Sequence, residues 1–253
     1  QIDMHLKKNS PKGIAIDKVP IRRASELFGI VHFVFFSPED LNIIKEGPAG
    51  RRRFIDLELS QLDKIYLNNL SNYNRIINQR NSLLKDIYGS NQQHLLETLD
   101  IWDMQLVQYG REVIRCREAF VGQLNDLIGG IHRQLSGEKE SLHISYEPNV
   151  TVDMFEYTLR KSRPSDLKQR TTLTGPHRDD LSFIINDIDI RRFGSQGQQR
   201  TAALSLKLAE IELVKKIVND YPILLLDDVL SELDGSRQNH LLSGINHIQT
   251  MIT

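Results

Sequence analysis

The stretch ILLLDDVLSELD, Ile223 to Asp234, decides how the rest of the chain is read. Four aliphatic residues run directly into Asp227 and Asp228, and a short polar turn then ends in a third acid. A brief apolar run bounded by a turn predicts a fully buried strand, as in parallel sheets covered by helices on both faces. A helix near 235–246 and a last short strand, IQTMIT, follow it. Strand, helix and strand in succession make the fold class α/β with a parallel sheet. Unpaired carboxylates are costly in a buried strand, and the carboxyl end of such strands is where open α/β sheets bind ligands. In that setting Asp227 suits a magnesium ion (Mg2+) held through water. Asp228 suits the orientation or deprotonation of an attacking water. The competing reading makes both acids turn caps or partners of nearby arginines.

A second stretch lies some twenty residues upstream. In RRFGSQGQQRTAALSLKLAEIEL the residues Gly194, Ser195, Gln196, Gly197, Gln198 and Gln199 stand directly before a strong helix. Small and amide residues at a helix amino terminus leave backbone N–H groups free to receive an anion, and the helix dipole assists. A plain N-cap on Ser195 is the alternative, but a cap needs one such residue and here there is a run of them.

The formal net charge of −1 over 253 residues excludes a polycation, so nucleic-acid binding must come from local basic surface. Candidates are Arg51, Arg52 and Arg53, which suit phosphate contacts or equally a hinge held through carboxylates. The basic run RKSRPSDLKQR, 160–170, reads as a solvated stretch. His177 and Arg178 in TGPHRDD read as part of a structural ion network, or else as nucleotide contacts across a dimer. Cys116 is the only cysteine, which rules out an internal disulfide and predicts a reducing compartment. With no signal-peptide pattern and no apolar run of membrane-spanning length, the expectation is a cytoplasmic protein without membrane contact. No histidine or cysteine spacing suggests zinc.

Residues 1–36 look rich in strands (QIDMHL, GIAI, GIVHFVFF), and Ser37-Pro38 and Pro48 look like helix starts. Next, Leu62, Tyr66, Leu70, Tyr73, Ile77, Leu84 and Ile87 share a helical face. After a break at GSNQQ, Leu95, Leu99, Trp102, Leu106, Tyr109, Val113, Cys116 and Phe120 alternate spacings of four and three. That spacing predicts an antiparallel helical hairpin over about 61–128 with a second arm of about 55 Å, or two ordinary amphipathic helices. Beyond Gly129-Gly130, LHISYEP and LSFIINDIDI look like strands, the latter turning near Asn186-Asp187.

Taken together these stretches resemble the ABC ATPase family. GSQGQ looks like its signature loop, with Ser195, Gly197 and Gln198 in matching positions and Gln196 in place of the usual glycine. ILLLDD looks like the Walker B strand, with Asp228 where most members carry glutamate, and SELD (Ser231 to Asp234) looks like the D-loop. SPEDLNIIKEGPAGRRRFID resembles the segment after the Q-loop in SMC-type members, where Pro48, Arg51, Arg52 and Asp56 recur; Ser37 then falls near the Q-loop glutamine. FSPEDL, GPAGRRRFID, TGPHRDD, GSQGQQRT and LLLDDVLSELD, in that order, resemble the RecF family of bacterial recombination mediators over nearly the whole chain. The short helical insert fits, because SMC-type relatives carry far longer coiled coils.

The resemblance implies an ABC-type ATPase head plus an α-helical hairpin subdomain. The expected division is 1–60 head and Q-loop-like segment, 61–135 helical subdomain, and 136–253 head with signature, Walker B and D-loop motifs. It implies ATP and Mg2+, slow DNA-dependent ATP hydrolysis, and an ATP-dependent homodimer in which the signature loop acts on the facing subunit's nucleotide. It further implies gapped or junction DNA and RecR, RecO and RecA as partners, in DNA repair, recombination, replication and the SOS response. The Walker A pattern, GxxxxGK followed by Ser or Thr, is absent from the 253 residues. The expectation is a segment of a longer protein, with Walker A upstream and no activity by itself. Two other readings stand: an SMC- or RecN-like structural ATPase head, and a non-enzymatic DNA-binding scaffold.

Overall fold

The computed structural model describes residues 1–5, 13–89 and 93–253. Strands β1 (Ile2–His5), β2 (Gly13–Ile16) and β3 (Val19–Ile21) form an antiparallel sheet. Asp17 and Lys18, both at positive φ, make the two-residue turn between β2 and β3. After β4 (Phe33–Phe36), Ser37 opens a short 3-10 turn. Pro48 then starts α1 (Pro48–Leu62) at the position where proline costs a helix nothing.

Helix α2 (Lys64–Gly89) and α3 (Gln93–Leu135) pack antiparallel as a hairpin, and α3 is roughly 65 Å long at 1.5 Å per residue. The expected break at GSNQQ falls on residues 90–92, outside the described ones. Tyr66, Tyr73, Ile77 and Leu84 on one arm, and Leu99, Leu106, Val113 and Phe120 on the other, are buried along the seam. A second stripe on α3, Val107, Ile114, Val121 and Ile128, is buried as well. Its spacing of seven keeps one helix face aligned, and α3 packs against both the strand β5 (Leu142–Glu147) and the helix α6 (Gln196–Val218). Asn125 joins α3 to β5 by pairing its side-chain amide with both backbone groups of Ile144.

The basic run at 160–170 lies mostly within α4 (Phe155–Gln169), with Arg160, Lys161, Lys168 and Arg170 exposed as a solvated stretch requires. Asp166 is fully buried there and accepts from Arg80 of α2 at 2.8 Å, while Arg80 also donates to Asp103 of α3 at 2.6 Å. Arg163 bonds Asp100 and Asp103. Arg163 and the acid Asp166 of this run, together with Arg80, therefore clamp three helices together, a pairing invisible in local composition.

Strand β5 pairs antiparallel with β6 (Asp180–Ile185), which pairs with β7 (Ile188–Asp189) through the expected turn at Asn186-Asp187. A one-turn helix, α5 (Ile190–Phe193), leads into α6. The second sheet is parallel, in the order β4, β8 (Ile223–Leu226), β9 (Thr250–Ile252), with α7 (Gly235–Gly244) in the crossover from β8 to β9. Phe33 pairs with Ile223 and Phe36 with Leu226, so the carboxyl ends of β4 and β8 are level. One face of this sheet, with Val34, Phe36, Leu224 and Leu226, belongs to the core. The other is open: Phe33, Phe35 and Met251 are 40%, 47% and 56% exposed.

A buried polar cluster joins this sheet to its helices. Gln61 pairs its amide with both backbone groups of Phe33 and donates to Glu58 at 2.7 Å. Lys207 and Glu210 of α6 meet at 2.7 Å. Burial, reinforced by Glu210, holds the Glu58 carboxyl well above the usual carboxylate range.

Candidate functional site

Asp227 and Asp228 leave the carboxyl end of β8 and are exposed. The Asp227 N–H donates to Phe36 O at 3.0 Å, which continues the ladder one residue past the strand. Asp228 then turns away at φ +48°, a left-handed conformation that aspartate tolerates better than most residues. Thr253, at the tip of β9, braces both acids: its hydroxyl donates to Asp227 Oδ1 at 2.7 Å and accepts from the Asp228 N–H at 3.2 Å. Glu39, in the turn after β4, is close enough for its carboxyl to feel the charge of Asp227, although a hydrogen bond from Ser37 dominates and lowers it. Ser37 itself is buried and bonded to Asp40. Neither Thr253 nor Glu39 was singled out from sequence, since only the level strand ends bring them to Asp227.

The glycine-bearing loop forms the other wall. Ser195 caps α6 by accepting from the Gln198 N–H at 3.2 Å, and the Gln198 side chain accepts from the Ser195 N–H at 3.0 Å, a reciprocal capping box. Of the helix's orphan donors this leaves the N–H groups of Gln196 and Gly197 facing outward, since both residues are exposed. The two glycines differ. A side chain at Gly194 would strike Ile190, only 2.6 Å away, so packing within the chain requires that glycine. A side chain at Gly197 would meet nothing nearer than Ser195 Oγ at 3.9 Å. No packing within the chain calls for glycine there, and the bare backbone leaves a cradle open from outside.

Segment 231–234 links the two walls. Arg200, in the first turns of α6, pairs with Glu232 at 3.2 Å. Asp234 caps α7 and bonds Arg237, whose guanidinium reaches Thr201 Oγ1 at 2.6 Å and Gly197 O at 3.4 Å. Ser231 donates to Asp228 O at 2.8 Å. Ser231 and Asp234 thus hold the turn between Asp228 and the loop in one shape. Neither Asp227 and Asp228 nor the 194–198 loop lines the recesses of about 510, 420 and 390 Å³, although Glu39 and Ser37 border the first. The two walls form an open surface.

Among the described residues, no cluster of three or more His, Cys, Asp or Glu side chains could hold a metal ion. Asp227 and Asp228 offer the hard oxygen donors that Mg2+ prefers, and Mg2+ completes its octahedron with water and phosphate oxygens. The donor set fits magnesium bound together with a phosphate ligand.

No family model matches the chain. It is 61% identical over 253 residues to the DNA replication and repair protein RecF of Lachnospira eligens, covering all of this chain and 70% of that protein. Identity to the RecF of Agathobacter rectalis is also 61%, over all of this chain and 69% of that protein. A solved structure of the recombination mediator protein RecF with ATP superimposes with a TM-score of 0.90 at 37% identity, over all of this chain and 69% of that one. The chain belongs to the RecF family.

Its fold is accordingly that of an ABC-type ATPase head, an α/β sheet with flanking helices, carrying an α-helical hairpin. RecF proteins are ABC-type ATPases of DNA replication and repair. Against that background the three consecutive arginines separate sharply. Arg51 is 4% exposed; it forks onto Asp180 at 2.6 and 3.0 Å and donates to the carbonyls of Ile43, Ile44 and Glu46. Arg51 is therefore spent on contacts within the chain and is not presented to a phosphate. Arg52 donates to Asp179 O at 2.7 Å and borders, with Arg53, Tyr73, Arg117 and His177, a recess of about 420 Å³. Burial and then the neighbouring Arg117 pull the Arg52 guanidinium below its ordinary value, against the opposing pull of Asp180, Asp179 and Asp56. Arg53 and Arg178 are exposed beside it. In TGPHRDD, Asp179 and Asp180 form the ion network with Arg117, Arg51 and Arg191. His177 stays outside it, bonded to Tyr73 at 2.7 Å and to Thr172 O at 3.0 Å. No helix among the described residues is long and apolar enough to cross a membrane.

Proposed function

We propose that this chain is the head and arm of an ATP-dependent DNA-binding protein of recombinational gap repair. Residues 1–60 and 136–253 are assigned to the head and 61–135 to the inserted arm. Two copies close on DNA around ATP: Asp227 holds magnesium through water in one subunit, and the loop of the facing subunit receives the γ-phosphate. The Gln196 and Gly197 N–H groups and the Ser195 hydroxyl are the donors, aimed where negative charge gathers. Bound magnesium neutralises phosphate charge. Asp228, held by the backbone turn and Thr253, orients the attacking water, and slow hydrolysis resets the clamp. The Walker A loop is supplied from outside these 253 residues. Arg52 and Arg53 contact DNA phosphates at a gap or a single-strand/double-strand junction. With RecR and RecO, the dimer helps load RecA.

The observation carrying this reading is Gly197: a glycine no neighbour requires, at a helix start with free donors, on an open wall. A composite site closed by a second subunit needs such a wall, whereas a scaffold module does not. In the full-length protein, Ser195→Arg places a bulky cation in the cradle. Sedimentation with ATP should show monomers while monomer ATP affinity is unchanged. Normal ATP-dependent dimers would refute action across subunits.

A further inference from the structure

The loop does not stand alone; a chain of hydrogen bonds, exposed at Ser195 and buried at His132 and Ser205, ties it to the base of the arm. Gln198 bonds the Ser195 N–H through its amide oxygen and donates from Nε2 to Glu140 Oε1 at 2.9 Å. The other oxygen of Glu140 faces His132 Nε2 at 3.2 Å, and His132 Nδ1 faces Ser205 Oγ at 2.8 Å. Ser205 lies two turns along α6 from the loop and also reaches Thr201 O at 2.8 Å. His132 sits in the last turn of α3, and both it and Ser205 are fully buried. Proton accounting fixes the direction. Burial outweighs the nearby carboxylate and keeps the His132 ring below its ordinary value, hence neutral at pH 7. A neutral ring facing a carboxylate at Nε2 must carry its proton there, which leaves Nδ1 to compete with Thr201 O for the single hydroxyl proton of Ser205. Glu140 then accepts from the arm on one oxygen and from the loop on the other. An amide has one acceptor and one donor end, so with its Nε2 held by Glu140, Gln198 can present only its oxygen to Ser195.

We propose that Glu140, oriented by His132, is a positioning residue for ATP-dependent dimerisation: it locks the Gln198 amide and so the donor-bearing first turn of α6 to the base of the α3 arm. The function follows from the topology. α3 carries the hairpin outward, so whatever moves its last turn moves His132, then Glu140, then the loop that meets the facing subunit's triphosphate. The inference rests on the loop receiving that triphosphate, and the test separates the two.

The test uses full-length protein and ATP. Glu140→Gln preserves size but offers one acceptor where two donors arrive, so one bond must break as long as the Ser205 proton points at His132 Nδ1. Monomer ATP affinity should stay within about twofold, while the dimerisation constant with ATP should weaken about 10-fold. Amide exchange should quicken at residues 196–199 and in the last turn of α3 together. Because Glu140 acts through the loop, its effect should shrink in a Ser195→Ala background; effects that simply multiply would assign Glu140 a separate structural role and overturn the proposal. His132→Asn gives the same readout from the arm side if Glu140→Gln folds poorly. Dimerisation lost in Ser195→Ala but untouched in Glu140→Gln sinks the positioning role alone. Dimerisation untouched in both sinks the reading of the loop.

Discussion

At the scale of single residues, neighbouring side chains of the same type do different work, and burial tells them apart. Arg51→Ala strips Asp180 and three carbonyls of a buried partner. With Arg191 still on Asp180 at 3.0 Å, the expected loss in a denaturant titration is about 3 kcal/mol. Arg53→Glu should leave stability within about 0.5 kcal/mol. It should weaken DNA binding and flatten the slope of log affinity against log salt by about one. An unchanged slope would remove Arg53 from the DNA surface. His177 supplies a pH signature. Burial pushes its ring down to about 4, so the folded protein holds it neutral while the unfolded chain protonates it near its ordinary value of about 6.5. Its contribution is whole above about pH 6.5 and declines as pH falls toward 4, by about 2 kcal/mol at pH 5. Glu58, whose carboxyl burial holds above its ordinary value, titrates with the opposite sign. The readout is therefore the change in stability from pH 7 to pH 5 in wild type minus that in His177→Asn. A difference near zero would show that His177 charges in the folded state. Asp227 and the Ser195 loop were legible in sequence because their chemistry is local. The Arg51–Arg53 contrast, Thr253 and the Glu140–His132 pair were not, because each depends on a partner distant in the chain.

Elements were read from periodicity, and periodicity explains both the successes and the misses. The seam of the hairpin was visible in spacings of four and three. The second stripe on α3, from Val107 to Ile128, passed unread because one helix then has apolar residues on two faces, and a single-face template registers only the denser one. Helix α4 was missed because its buried Asp166 and its paired arginines look like solvent-facing charge. Pro164 within it adds a helix-breaking signal that packing overrides. The crossing of these helices offers a test. Gly110 lies in mid-α3, where a Cβ would run into the Phe155 ring and stand 3.0 Å from Tyr73. Gly→Ala within a helix ordinarily gains about 1 kcal/mol, but overpacking a filled crossing costs about 1–3 kcal/mol. Gly110→Ala should therefore be destabilising by about 1 kcal/mol in urea titration. A stabilised variant would mean that the crossing is looser than described.

The whole molecule presents two walls on one open surface, with Asp227 and Asp228 at the sheet tip and the Ser195 loop at the start of α6, joined by the 231–234 turn. Neither wall encloses a cavity, which is the expected form of half of a shared site. In a two-fold dimer each pocket takes its acids from one subunit and its loop from the other. Full-length Ser195→Arg and full-length Asp228→Asn should each be inactive as ATPases. Mixed, they form heterodimers in which both lesions fall in one pocket and the second pocket is intact. The decisive measurement is the ATPase rate of that mixture. A rate above that of either separate component is the predicted result, and a mixture as inactive as its separate components would contradict a site shared between two copies.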